Sequence, residues 1–486
     1  MNQDLVEGGY VKLYGRYVLK WIIVAGLIGI PCGVVGALFY LGVARATELR
    51  ETYQWLYFCL PLAGLFIVWF YKVLKVEGAN TDTIVESART GEGVRFHLVP
   101  AIFAGTVLTH LCGGSSGREG AALQIGGGIG ANVGTLLKLS PEDKKIATMA
   151  GMAAFFTALF GTPITATVFV AFVLEVGSVY TASFFPSFIA SISAYGIART
   201  LGMQPFRFPL EEPGLNVPLF LKVMLLALLC SWVSVLFVKS LHFIGKLYEK
   251  YFPNPCIRVL VGAGIVLALT FASGTHDYNG AGTEVIKRAI VDGETHPWTF
   301  LLKILFTALT LEAGFKGGEI VPSFYIGSTF GCFMGTLLGM PPQFAAAIGL
   351  AAVFGGATNS VIAPMFLAVE AFGCSGTGIV YFTMACIEAF MFSGYNGLYS
   401  KQTIRYSKLR ARLVNIHTNQ RPRVDHVKFG EKGIYIDDEN GNGVSDVYEQ
   451  LYRDHRPHRS MDDAARENAR SARRVKVSAR LRRRRK

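Results

Sequence analysis

The strongest constraint on this chain is a glycine-rich stretch that occurs twice, about two hundred residues apart. The first copy reads GREG at residues 117–120, and the second reads GGE at residues 317–319. Each copy carries one glutamate and is followed by glycines spaced by four residues. Such glycines also serve ordinary packing between membrane helices, so the glutamates carry the functional argument. A repeat of this kind in an apolar chain predicts a membrane protein whose two halves share one ion site.

The composition indicates a chain that lies mostly within a membrane. Of its 486 residues, 51% are apolar and only 17% are charged, whereas soluble domains carry about 25% charge. The first apolar run, residues 18–44, is long enough to span a hydrocarbon core of about 30 Å. Several later runs are shorter and are broken by glycine or proline, which suggests half-helices that meet near the midplane. We therefore expect an all-α integral membrane protein.

The positive charge is concentrated at the carboxyl-terminal end. Residues 401–486 carry 23 basic and 11 acidic residues, while the rest of the chain is close to neutral. Basic segments next to membrane helices favour the cytoplasmic side. We expect a cytoplasmic amino terminus at 1–17, a membrane domain at 18–400, a basic linker at 401–420 and a cytoplasmic tail at 421–486. The halves of the membrane domain are expected at about 18–200 and 217–400.

Glu119 is the first candidate functional residue, because it stands between a glycine-rich loop and a predicted helix. Glycines before a helix expose backbone N–H groups, and the helix start adds partial positive charge, so this position can bind an anion. A carboxylate tethered there can occupy the site when ionised and leave it when protonated. Its side chain would then act as both gate and proton carrier. The alternative is a helix-terminal charge that faces solvent, but ionisable groups inside membranes usually have a function.

Three further glutamates lie at the ends of apolar segments, and two interpretations stay open for each. Glu319 takes part in ion transport or caps the helix that begins near Pro322. Glu175 and Glu370 each follow a long apolar run. Each either has a function in transport or is a charge at a helix end that reaches toward water.

Three motifs together resemble the CLC family of chloride channels and proton-coupled anion transporters. The first is the GREG stretch, followed by Ala121 where the family usually has proline. The second is GEIVP at residues 318–322, where the family has Gly-x-Phe-x-Pro, and the third is LYS at residues 398–400, which is similar to the family's Pro-Leu-Tyr-Ser. Their order and spacing match the family over about residues 50–400.

The resemblance implies an inverted-topology double repeat of tilted and broken helices, and a homodimer with one pore in each subunit. Glu119 would be the gating glutamate, with Glu319 and Glu175 as further gating or proton residues, and the Tyr399 hydroxyl would close the inner side of the central anion site. The implied anion-binding residues are Ala79, Asn80, Gly117, Arg118, Gly120, Gly318, Ile320, Val321 and Tyr399.

The transported ion stays open between two alternatives. The place of the family's Gly-Ser-Gly-Ile-Pro motif reads GANTDT at residues 78–83, without its serine or proline. The Gly-Gly-Glu sequence resembles the fluoride-exporting branch, but that branch commonly has methionine near Asn80 and threonine at the place of Val321. Glu175 lies about one helical turn out of register with the inner proton glutamate of the chloride antiporters. We expect chloride conduction or proton-coupled exchange, with fluoride/proton antiport as the alternative.

Catalysis is not expected of this chain. It has no H-E-x-x-H sequence, so a membrane-embedded hydrolase is only a distant alternative. We expect a multi-pass protein of the plasma (inner) membrane, with halide anions and protons as partners, both termini cytoplasmic and no cofactor in the membrane domain.

The tail contains one calcium-binding pattern. Residues 438–449 fit an EF-hand loop, with oxygen ligands at Asp438, Asn440, Asn442 and Glu449. Ser445 takes a position that is usually apolar, and the preceding residues suggest a strand rather than a helix, so Ca²⁺ binding is one of two alternatives beside an ordinary turn. The arginine-rich end predicts contact with anionic lipid headgroups rather than with nucleic acid.

Overall fold

The computed structural model describes the backbone of residues 3–408 and 413–420, and the side chains of residues 14–408 and 415–420. This part of the chain is almost entirely helical, with sixteen α-helices. The predictions for residues 421–486, including the loop at 438–449, lie outside the described residues.

The sixteen helices form two series of eight. The first series is α1 (Gln3–Thr52), α2 (Leu60–Val73), α3 (Thr81–Thr90), α4 (Leu98–Leu111), α5 (Glu119–Leu136), α6 (Pro141–Phe160), α7 (Pro163–Val173) and α8 (Phe184–Thr200). The second is α9 (Val217–Tyr251), α10 (Pro255–Ser273), α11 (Thr283–Lys287), α12 (Thr299–Leu311), α13 (Ile320–Leu338), α14 (Pro342–Thr358), α15 (Ile362–Phe372) and α16 (Gly376–Phe392). Helices α7 and α15 have 11 residues each, and α8 and α16 have 17 each. The repeat therefore extends through the whole helical domain, beyond the segments that match in sequence.

Six of these helices are long and apolar enough to cross a membrane, judged by length and composition. They span Tyr14–Thr52, Gln54–Val73, Thr181–Thr200, Val217–Tyr251, Pro255–Ser273 and Ile320–Leu338. Six other apolar helices, among them α4, α7 and α15, have only 11 to 17 residues. Large apolar side chains such as Leu62 and Trp232 point outward and are more than half exposed, as expected of a surface in contact with lipid.

The glycine ladders hold pairs of helices together in both series. In the first series Gly126 packs against Gly151, and in the second Gly327 packs against Gly349. A methyl group on any of these four glycines would overlap a backbone carbonyl oxygen of the facing helix. The ladders therefore let α5 approach α6, and α13 approach α14, at the closest distance that backbones allow.

Glu370 of α15 ties the two series together by capping the start of α7. Its carboxylate accepts hydrogen bonds from Ile164 N at 3.0 Å, from Thr165 N at 2.8 Å and from the Thr165 hydroxyl at 2.6 Å. The first N–H groups of a helix have no partner within the helix, so a carboxylate placed there stabilises its start. Glu370 thus serves as a cap, and its side chain faces a helix terminus.

Three short strands join the end of the helical domain to its middle. They are β1 (Glu175–Val176), β2 (Thr403–Tyr406) and β3 (Leu413–His417). β1 pairs in parallel with β2, and β2 pairs in antiparallel fashion with β3. These strands were not expected from the sequence, which predicted a linker at residues 401–420.

Candidate functional site

The two glycine-rich loops meet in the interior of the protein. Gly117 N donates to Gly318 O at 2.7 Å, and Gly318 N donates to Gly117 O at 2.8 Å, which forms an isolated antiparallel bridge. A methyl group on Gly318 would overlap the backbone nitrogen of Gly120, so the contact requires glycine there. The bridge places the amino-terminal ends of α5 and α13 side by side. Exposed N–H groups of two helix starts therefore converge on one buried region.

Glu119 reaches from its own helix to the start of the other. Its side chain is completely buried, and its Oε2 atom accepts a hydrogen bond from Val321 N in the first turn of α13 at 3.1 Å. Its Oε1 atom lies 3.7 Å from the Nε atom of Arg118 and accepts no hydrogen bond from the described residues. The carboxylate thus occupies the position at which the α13 helix start would bind an anion.

Glu319 takes the corresponding place in the second repeat, at the amino-terminal cap of α13. A methyl group on Gly120, in the first turn of α5, would lie 3.1 Å from Glu319 Oε2. That oxygen atom is buried and has no hydrogen-bond partner among the described residues. Each glutamate of the repeat therefore extends toward the helix start of the opposite repeat.

Arg118 lines a cavity of about 400 Å³ on one side of this meeting point. Its guanidinium group lies over the rings of Tyr40 and Phe160, at 4.9 and 6.0 Å from their centres. The cavity also contains acidic residues, among them Glu48 and Asp277. Arg118 is therefore a fixed positive charge between this cavity and Glu119.

Two further cavities, of about 310 and 350 Å³, are lined by Glu319 and share no residue with the Arg118 cavity. We call them the Glu319 cavities. They have six lining residues in common, namely Asn80, Thr81, Gly245, Glu249, Glu312 and Glu319. Tyr399 lines one of them, and its buried hydroxyl has no partner among the described residues. The meeting point of the two helix starts thus lies between separate cavities, as an ion pathway requires.

Ala79 and Asn80 lie at the start of α3 and line a Glu319 cavity. The Asn80 side chain accepts a hydrogen bond from Thr83 N at 3.3 Å, and the Thr83 hydroxyl accepts one from Asn80 N at 3.2 Å. This reciprocal capping box fixes the Asn80 oxygen at the start of α3. The loop with the unusual GANTDT sequence therefore faces the same space as Glu319.

Comparison with known proteins identifies the family. The sequence profile described as voltage gated chloride channel matches residues 63–394. A "Chloride/fluoride channel protein" of Pseudomonas syringae is 32% identical over 404 residues, which cover 81% of this chain and 88% of that protein. This chain belongs to the voltage-gated chloride channel (CLC) family.

Solved structures of the CLC family have the same fold. A crystal structure of a CLC-type fluoride/proton antiporter is 31% identical and superimposes with a TM-score of 0.76, covering 79% of this chain and 98% of that one. A slow cyanobacterial Cl⁻/H⁺ antiporter, at 18% identity and a TM-score of 0.67, supports the fold alone. The H(+)/Cl(-) exchange transporter ClcA of Vibrio cholerae is 25% identical over 382 residues, 71% of this chain and 80% of that protein.

These findings confirm the resemblance, the helical double-repeat fold and the functional class. The chain is a multi-pass membrane protein of the CLC family, whose members transport anions and are channels or transporters rather than enzymes. Chloride and fluoride both occur among the ions named for its relatives.

The structure places Glu175 outside the Arg118 cavity and the Glu319 cavities of this CLC chain. It stands in β1, and its Oε2 atom lies 2.7 Å from Arg405 Nε while its Oε1 atom lies 3.0 Å from a second nitrogen of the same guanidinium. The Tyr180 hydroxyl donates to Oε1 at 3.4 Å. The proton role predicted for Glu175 stays a prediction. The ion pair with Arg405 is a structural reason for a glutamate at this position.

Two residues of the Glu319 cavities were missed by the sequence analysis as site residues. Gln124 of α5 donates from Nε2 to the Thr81 hydroxyl at 3.1 Å, and its Oε1 atom is buried without a partner among the described residues. Glu312 follows α12 and lines both cavities. A polar residue inside the apolar α5 was a signal for Gln124. No local pattern marks Glu312, because its neighbours come from α3, α9 and α10.

Proposed function

We propose that this chain is a fluoride/proton antiporter in which Glu119 is the gate. The observation that carries the proposal is that each glutamate lies at the helix start of the opposite repeat. Glu119 accepts a hydrogen bond from Val321 N, and Glu319 lies beside Gly120. From the sequence we expected chloride as the transported ion and fluoride as the alternative, and the proposal now puts fluoride first.

The geometry suggests how anion and proton are coupled. The ionised Glu119 carboxylate and a mobile anion compete for the same N–H donors at the start of α13. When Glu119 takes up a proton, its attraction to these donors falls and the anion replaces it. Release of the proton returns the carboxylate to the site and displaces the anion. Each anion that passes then requires one cycle of protonation.

Glu319 supports fluoride as the anion. An ionised carboxylate at this place would repel any halide, so the anion binds when Glu319 is protonated and donates a hydrogen bond. Fluoride is the smallest halide and the strongest hydrogen-bond acceptor, so it gains most from such a donor. The relative named as a chloride/fluoride channel protein and the fluoride/proton antiporter of known structure support the same choice.

Chloride/proton exchange is the second candidate. It is favoured by Tyr399, whose buried and unpartnered hydroxyl lines a Glu319 cavity and could donate to a larger anion. The exchange transporters of Vibrio cholerae also match over much of the chain. Under this alternative, Ala79 and Asn80 would take the place of the missing serine.

The test is flux from proteoliposomes loaded with fluoride or chloride, with an anion electrode and a pH electrode in the same chamber. We expect fluoride efflux accompanied by proton uptake in a fixed ratio, and little chloride efflux. Glu119→Gln should remove the proton movement, because the amide cannot carry a proton through the cycle. Glu92→Gln, at an exposed surface position, is the control. Proton-coupled flux of chloride alone, or wild-type coupling in Glu119→Gln, would contradict the proposal.

We further propose a homodimer in the plasma (inner) membrane with both termini in the cytoplasm. The basic residues of the amino-terminal segment and of residues 401–486 support this orientation. For the tail, we propose contact of its arginine-rich end with anionic lipids and Ca²⁺ binding by Asp438, Asn440, Asn442 and Glu449. Calcium titration of the full-length protein, followed by calorimetry and repeated with Asp438→Ala, tests the calcium site.

A further inference from the structure

We propose that Glu312 is the inner proton acceptor of this transporter, and that it delivers protons to Glu319 and from there to Glu119. The inference rests on the proposed proton coupling and deepens it, because it names the residue that connects the gate to one side of the membrane. It replaces Glu175, the position that the sequence suggested for this role.

A series of carboxylates lies along the Glu319 cavities. Glu249 of α9 is exposed, Glu312 and Glu319 are partly buried, and Glu119 is completely buried. The first three of them line both cavities. Burial therefore increases from Glu249, through Glu312 and Glu319, to Glu119.

The space between these carboxylates is large enough for water. One water molecule occupies about 30 Å³ of liquid, so cavities of about 310 and 350 Å³ hold several. Polar atoms without partners face this space: Gln124 Oε1 and the Tyr399 hydroxyl are both buried and unpaired among the described residues. Buried polar groups of this kind are satisfied by water, which can carry protons between the glutamates.

Glu312 and Glu175 differ in their ion-pair partners. Glu175 has an ion-pair partner, because its two carboxylate oxygens lie 2.7 and 3.0 Å from two nitrogens of the Arg405 guanidinium. No Lys, Arg or His side-chain nitrogen among the described residues lies within 4.0 Å of a Glu312 carboxylate oxygen. The charged and titratable groups that share its cavities are Asp82, His242, Lys246, Glu249, Arg258, Lys316, Glu319 and Tyr399. Glu312 is thus free to exchange protons with water.

The proton balance of the pathway is simple. A Glu312 carboxylate oxygen takes a proton from cavity water, and the resulting acid gives that proton through water to the Glu319 carboxylate. Glu312 is then ionised again, and Glu319 passes the proton to Glu119. No group other than the three carboxylates and water changes its protonation state.

The experiment compares Glu312→Gln with Glu175→Gln in the proteoliposome assay, with Glu92→Gln as the control. We expect Glu312→Gln to lower the ratio of protons to fluoride at least about tenfold while fluoride flux persists. Glu312→Asp should restore the ratio because it restores a carboxyl group. Wild-type coupling in Glu312→Gln, or loss of coupling in Glu175→Gln with Glu312 intact, would overturn the inference.

A second variant covers the case in which Glu312→Gln does not fold. A methyl group on Gly245 would lie 2.5 Å from Glu312 Oε2, so Gly245→Ala displaces the carboxyl group without removing it. We expect a lower ratio of protons to fluoride, and an unchanged ratio would overturn the inference. Failure of the proposed function would be seen in the wild-type protein itself. That protein would then move fluoride without protons, or couple protons to chloride. In the latter case the same variants are measured with chloride.

Discussion

At the scale of single residues, this protein depends on positions where a side chain would collide with backbone. Gly117 and Gly318 pair through two hydrogen bonds of 2.7 and 2.8 Å, which brings two helix starts into contact. Backbone cannot move aside as a flexible side chain can, so glycine is the only residue that preserves the contact. This bridge positions Glu119, the proposed gate, and its partner Glu319.

Gly318→Ala should therefore destabilise the protein, because the new methyl group meets the backbone of Gly120. We expect a loss on the order of 1–3 kcal/mol, typical of overpacking in a dense interior. The thermal midpoint in detergent measures it. Gly26→Ala, at a helical position with no heavy atom within 4 Å of the added group, is the matched control. Equal midpoints for the two variants would contradict the role of the bridge.

At the scale of elements, the two series of helices stabilise each other's ends. Helices as short as the 11 residues of α7 and α15 are marginal by themselves, and their termini leave N–H groups without partners. Glu370 on α15 satisfies such groups on α7, across 206 residues of sequence. Short helices within a membrane domain thus persist because another helix supplies the cap.

Glu370→Ala should cost about 1–2 kcal/mol, as expected when a helix cap is lost and N–H groups stay unpaired. The free energy of unfolding in a denaturant series measures this cost. Glu92→Ala removes an exposed carboxylate and is expected to change little. Because Glu370 lies outside the proton pathway proposed above, Glu370→Ala should keep the wild-type ratio of protons to anions. A changed ratio would show that Glu370 also takes part in transport.

At the scale of the whole molecule, the double repeat determines which helix ends face the same side of the membrane. In an inverted repeat, α9 crosses in the direction opposite to α1. If α1 begins in the cytoplasm, α9 ends there, and Lys246 and Lys250 near its end agree with the positive-inside rule. The start of α10, with the exposed Cys256, would then be cytoplasmic as well.

A membrane-impermeant thiol reagent should label Cys256 from the cytoplasmic side only. Inverted and right-side-out vesicles provide the comparison, and Cys256→Ser is the control that removes the signal. Six of the other seven cysteines are buried, and Cys59 is partly buried, so the background should be low. Labelling of Cys256 in intact right-side-out vesicles would reverse the proposed orientation.

Several features of the site could be predicted from the sequence. Glu119 and Glu319 stood out because each follows a repeated glycine-rich loop, and Tyr399 stood out through a family motif. Gln124 and Glu312 could not be assigned in this way, since what matters for them is a cavity built from distant helices. The ion pair of Glu175 could not be predicted either, because its partner Arg405 is 230 residues away in the sequence.

The sequence by itself determined that this is a double-repeat membrane protein of the CLC family, because repeats, apolar runs and motifs are properties of neighbouring residues. Only the tertiary structure decided that the two loops form a bridge, that Glu370 is a cap and that Glu312 shares cavities with Glu319. These are contacts between residues far apart in the chain. They depend on how closely whole helices pack, and no local pattern of residues specifies that distance.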